Sequence, residues 1–382
     1  MLIKIRNKIC KYFAPLFFYF FRIFKIKNNK IVIVNYSGKG YGDNAKYIVD
    51  ELIKKNIFDI VWSTKDRDSL PIGVRAVNIF SLKWIYELST AKIWINNSRF
   101  KLYVKKRKNQ FYIQTWHSSL RLKKIELDAI EKLPDYYKKM IIDDSKKIDL
   151  MISGCDFSYN TYKNSFAYNG EIAKIGTPRF DLFFNEKKMK EYNRKIRSKY
   201  KIDMKKKILL YAPTFRTWGD SSKCPLNLEA FEKKLPSEYI LLVRSHPNIT
   251  LKFDEIDNRI IDVTLYPDMQ ELICAADFLI TDYSGCCFDM MITRKPCVIF
   301  APDLDEYLKR ERNLYFTYDE LPFELTTKES ELLDKIINFK INEYVSNIEE
   351  FYKFIGMYEN GNASQELCKI IENIVLKNSG VI

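Results

Sequence analysis

The chain has two histidines, and both close an apolar run of strand-forming residues. His117 lies in Phe111–Ile125, FYIQTWHSSLRLKKI, where Trp116-His117 is followed by Arg121, Lys123 and Lys124. A histidine at a strand's carboxyl end, with cations nearby, can take the proton of an attacking hydroxyl beside an anionic substrate. An imidazole satisfied inside the fold is the plain alternative there. His246 lies in Tyr239–Pro247, YILLVRSHP, directly after Arg244 and Ser245. The arginine fork matches phosphate oxygens, and the histidine adds a further donor.

Two more loops carry phosphate-binding chemistry. Asp277–Asp289, DFLITDYSGCCFD, sets Ser284-Gly285 at the opening of a helix, where N–H groups and a hydroxyl cap would suit a diphosphate. An ordinary N-cap would leave the same trace. Ile208–Arg216, ILLYAPTFR, brings Thr214 and Arg216 to the end of another strand, where they could complete the cradle. No G-x-x-x-x-G-K-[ST] and no G-x-S-x-G occurs. Asp66-Arg67-Asp68 and Asp303-Leu304-Asp305 read as loop carboxylates, so neither a metal nor a cofactor is expected.

These loops need strands to hold them. From Lys30 onward the pattern alternates between β and α. Strands are expected at Ile31–Asn35, Phe58–Ser63, Lys92–Asn96, Phe111–Thr115, Asp149–Gly154 and Glu171–Ile175, with helices from about Asn44 to Lys55 and at Leu82–Thr90. The charged stretch from Lys187 to about Lys201 reads as the connection between domains. A second alternation has strands at Ile208–Ala212, Tyr239–Arg244, Arg259–Asp262, Phe278–Thr281 and Cys297–Phe300. Its helices fit Leu228–Leu235, Met269–Ala275, Gly285–Thr293, Glu329–Asn338 and Ala363–Leu376. Two successive β/α domains imply parallel sheets covered on both faces, with ligands beyond the strands' carboxyl ends. A length of 382 residues suits two such domains, expected at 29–190 and 191–382. Eight cysteines without a C-x-x-C argue against a zinc ribbon and a disulfide scaffold, and suit a reducing cytoplasm.

The net charge of +14 is concentrated at one end. Residues 1–30 hold eight Lys and Arg and no acid, around the uncharged, Phe-rich run Tyr12–Phe21. Ten residues cannot cross a hydrocarbon core, which takes about 20. Rings flanked by cations fit an anionic membrane interface, so residues 1–28 are expected to be an amphipathic membrane-associating segment. The rival view packs Phe17, Phe18 and Phe21 into the first domain's core. Lys101–Lys108, KLYVKKRK, would extend the membrane-facing surface or form a solvated loop. Nucleic-acid binding is disfavoured, because the excess charge is not spread along a sheet.

Taken together, YSGKGYGDNAKYI (36–48), QTWHSSLRLKKIELDA (114–129), GTPRFDLF (176–183), YAPTFR (211–216), RSHP (244–247) and ELICAADFLITDYSGCCFDMMITRKPCVIFAPDLDEY (271–307) resemble the CDP-glycerol glycerophosphotransferase family of teichoic-acid and capsule synthesis. Ser118 stands where the family usually has Gly, Gly285 where it has Ser, and Phe180 where Asn is common. The resemblance implies a GT-B-like pair of Rossmann-type α/β domains with the active site in the cleft between them. It implies His117 and His246 as catalytic residues, and a donor site of Thr214, Arg216, Arg244, Ser245, Asp282, Ser284, Gly285 and Asp289. On the acceptor side it implies Lys39, Tyr41, Asp43, Asn44, Trp116 and Lys123. The expected donor is CDP-glycerol, with CDP-ribitol on the same scaffold as the alternative. The expected acceptor is a polymer or a lipid-linked saccharide at the cytoplasmic membrane face. A sugar-nucleotide glycosyltransferase would share the fold.

Overall fold

The computed structural model describes residues 13–216, 218, 224–245, 259–311 and 313–376. His246 lies outside the described residues, as do the first twelve. The chain forms two compact units, the first from Met1–Ser119, Glu126–Asp181 and Tyr358–Ile382, the second from Leu120–Ile125 and Leu182–Met357.

In the first unit, residues 13–20 form helix α1, and a 3-10 turn follows at Phe21–Ile23. Ala14 and Phe18 of α1 are buried, while Phe13, Leu16, Tyr19, Phe20 and Ile23 stay exposed. The chain then runs through β1 (Lys27–Val34), α2 (Asp43–Lys55), β2 (Asp59–Ser63), β3 (Val74–Val77), α3 (Leu82–Thr90), β4 (Ala91–Asn96) and β5 (Phe111–Gln114). α4 (Asp135–Ser145), β6 (Leu150–Ile152), α5 (Asp156–Ser165) and β7 (Glu171–Ala173) complete its sequential part. All seven strands are parallel, in the order β3-β2-β1-β4-β5-β6-β7. Their cores are near-continuous apolar runs because both faces are covered. On one face Ile48, Val49 and Leu52 of α2 meet Leu367, Cys368 and Ile371 of the last described helix, Ala363–Leu376.

The second unit holds α6 (Glu186–Lys199), β8 (Lys207–Ala212), α7 (Leu228–Lys234), β9 (Tyr239–Val243), β10 (Ile260–Asp262), α8 (Met269–Ala275) and β11 (Phe278–Thr281). It continues with α9 (Cys286–Ile292), β12 (Cys297–Phe300), α10 (Leu304–Arg310), β13 (Glu324–Thr326), α11 (Glu329–Ile337) and α12 (Ile341–Ile355). Its six parallel strands run β10-β9-β8-β11-β12-β13. Both sheets therefore reverse their strand order once, at β1/β4 and at β8/β11. A crevice opens at such a point, beyond the carboxyl ends of the strands.

Three expectations need revision. A division at residue 190 does not describe the units, because the helix at 363–376 (α13) completes the first core and residues 120–125 pair within the second. A segment ending at residue 28 would cut β1, and Phe18 is a core residue. The charged stretch after Glu186 is no bare connection: α6 packs on α8. Its Ile196 is buried, and buried Arg197 donates to the carbonyls of Asp203 and Lys206, both at 2.9 Å. Those bonds let a highly charged helix bury one face.

Candidate functional site

In the first unit, His117 follows β5, and the loops after β1 and β4 close around it. The Trp116-His117 turn has Trp116 at φ 51°, the left-handed region. Side chains hold its backbone polar groups on every side. Gln114 Oε1 accepts the Trp116 N–H at 2.8 Å. Asn44 Nδ2 donates to the Trp116 carbonyl at 3.1 Å. Arg179 Nη1 donates to the His117 carbonyl at 2.6 Å. The His117 ring lies 4.4 Å from the Trp116 ring and 5.7 Å from Tyr36, centroid to centroid. Its Nδ1 is 3.0 Å from the Asn97 carbonyl oxygen.

Asp43 gathers the surroundings of this turn. It accepts from Tyr36 Oη and from Arg179 Nη1, the latter at 3.3 Å. Arg179 N–H in turn bonds Asn44 Oδ1 at 3.2 Å. Asp43, Asn44, Trp116 and His117 thus form one connected group. Tyr41 is apart from it: its hydroxyl donates to Asp50 at 2.7 Å and its ring packs on Trp62 at 4.9 Å. Lys39 is exposed on the β1–α2 loop. Arg179, Asn35, Asn97 and Gln114 have no place in the sequence-level site. Arg179 lay within the stretch GTPRFDLF, which was the available signal.

In the second unit, a cavity of about 550 Å³ opens at the carboxyl ends of β8, β9, β10 and β11. Thr214, Arg244, Ser245 and Ser284 line it, joined by Thr264, Met269, Tyr307 and Glu311. Ser245 N–H donates to Thr264 Oγ1 at 3.0 Å, and Arg244 Nη2 to the Tyr266 carbonyl at 3.3 Å. The Ser245 and Thr214 hydroxyls are buried with no hydrogen-bond partner among the described residues. Buried polar atoms of this kind carry a cost of about 1–3 kcal/mol each, which a bound polar ligand can relieve.

Lys123 also lines this cavity, on the side expected for the donor rather than the acceptor. A short ribbon accounts for its position: Lys123 bridges Leu314, Tyr315 N–H donates to the Leu122 carbonyl at 2.7 Å, and Lys124 N–H to Asn313 at 2.8 Å.

The other residues expected for the donor are not among those that line the cavity. Asp282 accepts the Thr214 N–H at 2.8 Å and pairs with Arg216 at 2.5 Å. Arg216 also grips Asp303 through Nε and Nη2, each at 2.9 Å. Burial works against the Arg216 charge, but its bonds to Asp303 and Asp282 win and raise its pKa. Asp303 also accepts from Tyr283 Oη at 2.9 Å, and Tyr283 stacks on Tyr307 at 3.4 Å. Asp289 is buried and accepts from Gln270 at 2.7 Å. A Cβ at Gly285 would lie 3.6 Å from the Leu120 carbonyl, an ordinary contact, so sterics alone do not require glycine.

Known proteins share this frame over its full length. The chain is 30% identical to the teichoic acid glycerol-phosphate transferase of Staphylococcus aureus, over 96% of this chain and 99% of that one. It is 31% identical to a teichoic acid poly(glycerol phosphate) polymerase of Bacillus spizizenii, over 98% and 99% respectively. A solved structure of the wall teichoic acid polymerase TagF superposes with a TM-score of 0.88 at 28% identity, covering 99% of this chain and 97% of that one. A family model described as CDP-Glycerol:Poly(glycerophosphate) glycerophosphotransferase matches residues 16–373. The chain belongs to that glycerophosphotransferase family and has its α/β fold of two parallel-sheet domains.

Proposed function

We propose that this protein transfers glycerol phosphate from CDP-glycerol to a hydroxyl of a teichoic-acid-type acceptor, releasing CMP. The observation that carries the reading is the second unit's cavity. Its wall combines the cations Arg244 and Lys123 with two buried hydroxyls that have no protein partner among the described residues. Such a wall suits an anionic ligand rich in hydrogen-bonding groups. Thr214, Ser245 and Ser284 would meet the nucleotide diphosphate there, and the Arg216–Asp282–Asp303 frame would keep their loops in shape. His117 would accept the proton of the acceptor hydroxyl as it attacks the β-phosphorus in line. Charge building on the bridging oxygen would be met by Arg244 and, in this reading, His246. Asp43, Asn44 and Arg179 would hold the His117 turn on the acceptor side.

The test is CMP release from CDP-glycerol, CDP-ribitol and a UDP-sugar, with and without a teichoic acid acceptor. CDP-glycerol is the expected donor; the relatives include ribitol-phosphate polymerases at lower identity, 28% for one of Bacillus spizizenii. His117→Ala should cut turnover by about 10²–10⁴ while the protein stays folded. Normal turnover in that variant would refute the assignment.

The same reading puts the protein on the inner membrane face as a peripheral enzyme. Among the described residues no helix is long and apolar enough to cross a membrane. What supports attachment is α1 and the 3-10 turn after it, where Phe13, Leu16, Phe20 and Ile23 are exposed beside Arg22 and Lys25. Arg107 Nη1 donates to the Phe24 carbonyl at 2.8 Å, which ties the basic stretch 101–108 to the same surface. Changing Phe13, Leu16, Phe20 and Ile23 to serine spares buried Phe18 and should abolish co-sedimentation with anionic vesicles. A folded variant that still sediments fully would refute attachment through this face.

A further inference from the structure

We propose that Asn35 and Asn97 form a brace that sets the tautomer of His117 and leaves its Nε2 as the basic nitrogen. The proposal rests on the reading of His117 as the base and explains how the fold prepares it. A carbonyl oxygen can only accept a hydrogen bond. The 3.0 Å contact between His117 Nδ1 and the Asn97 carbonyl therefore requires the proton on Nδ1. In the neutral ring the unprotonated, basic nitrogen is then Nε2, the one turned away from this contact.

The direction of the Asn97 carbonyl is fixed in its turn. Asn97 follows β4 and Asn35 follows β1, neighbouring strands in register at Val34 and Asn96. Asn97 N–H lies 3.4 Å from the Val34 carbonyl. The Tyr36 N–H donates to the Asn97 side chain at 2.8 Å, so the atom it meets must be Oδ1. The other end of that amide is then Nδ2, which donates to Asn35 Oδ1 at 2.6 Å. Asn35 Nδ2 is left facing the carbonyls of Lys39 and Gly40, at 3.2 and 3.4 Å. Backbone groups at both ends of this chain of amides dictate the orientation of each one, so neither can flip without breaking bonds. Both asparagines are almost wholly buried, at 2% and 1% exposure, which makes an unmatched amide costly. The brace acts on catalysis only through His117. Asn35 and Asn97 are positioning residues.

The protein has two histidines, so a ¹⁵N-histidine spectrum carries two imidazoles, and His246→Asn assigns them. The expected result is His117 as the Nδ1–H tautomer above its titration. In Asn35→Ala the Nε2–H form should appear. Turnover should then fall about 10-fold with donor KM unchanged, because the wrong tautomer is admitted rather than enforced. An Nε2–H tautomer in the unsubstituted protein would overturn the proposal, and that measurement needs no variant to fold. An unchanged tautomer in a folded Asn35→Ala would overturn it as well. Full turnover by His117→Ala would instead overturn the base reading, and with it the purpose of the brace. The spectrum of the unsubstituted protein tells that failure apart from a failure of the brace itself.

Discussion

Replacing Glu359 by glutamine isolates one buried proton. The Glu359 carboxylate accepts the Thr177 N–H at 2.8 Å and the Thr177 hydroxyl, within the same first unit that holds His117. It occupies space that two glycines leave open: a Cβ would come within 1.7 Å of Glu359 Oε1 at Gly154, and within 2.7 Å of Oε2 at Gly176. Burial pushes the carboxyl up to about 7, against the downward pull of the Thr177 bonds, from 4.5 for a free glutamate. A folded pKa above the unfolded one means that the native state holds the proton more tightly. The associated stability is complete below pH 4.5 and is lost as pH rises through about 7. At about 1.4 kcal/mol per pH unit, that interval corresponds to about 3 kcal/mol. Glutamine keeps one acceptor and loses the other, at a cost of about 1 kcal/mol. Urea unfolding at about pH 4 and about pH 8 should thus find Glu359→Gln less stable by about 1 kcal/mol in acid and more stable by about 2 kcal/mol in base. A stability difference of the same sign and size at both pH values would refute the reasoning.

The remaining predictions concern the loops and their frame. Ser245→Ala removes a buried hydroxyl with no partner among the described residues, so thermal stability should hold or rise while donor KM increases about 5–10-fold; unchanged KM in steady-state kinetics would remove Ser245 from the proposed donor site. Asp282→Ala leaves Arg216 without one of its two carboxylates and frees the Thr214 N–H. It should cost about 3–5 kcal/mol in denaturant unfolding and weaken donor binding. Gly176→Ala forces a side chain onto φ 95° and against Glu359, so it should lower the melting temperature, and by less when combined with Glu359→Ala.

Most strands were legible because buried parallel strands are short apolar runs. Phe278–Thr281 and Cys297–Phe300 occur as the sequence suggests, and so do the helices Leu82–Thr90, Met269–Ala275 and Ala363–Leu376. β3 and β13 escaped because VRAV and ELT carry too little apolar character. α5 is hidden by the Ser, Asn, Thr and Tyr of DFSYNTYKNS, poor helix formers held here by packing. At the site, a histidine after a strand is a local signal and could be read. The residues that hold its turn are not local. Asn35 and Asn97 lie 82 and 20 positions from His117, and Arg179 lies 62 away. They converge only because β1 lies beside β4, and β4 beside β5, an order that alternating β/α patterning does not reveal. That Lys123 lines the second unit's cavity was hidden for a related reason, since its ribbon partner at Leu314 is nearly two hundred residues away.

The return of α13 to the first unit has a consequence for how the protein is made. Leu367, Cys368 and Ile371 cover the same apolar face as α2, whose residues are translated more than three hundred codons earlier. While the ribosome synthesises the entire second unit, Ile48, Val49 and Leu52 lack their final cover. At about 5–20 residues per second, the roughly three hundred residues between α2 and α13 take about 15–60 seconds. The nascent chain must keep this face from aggregating for that time. A chaperone that binds apolar helices should therefore be found on ribosome-bound chains stalled anywhere between residues 182 and 357, and should leave once residue 376 has emerged.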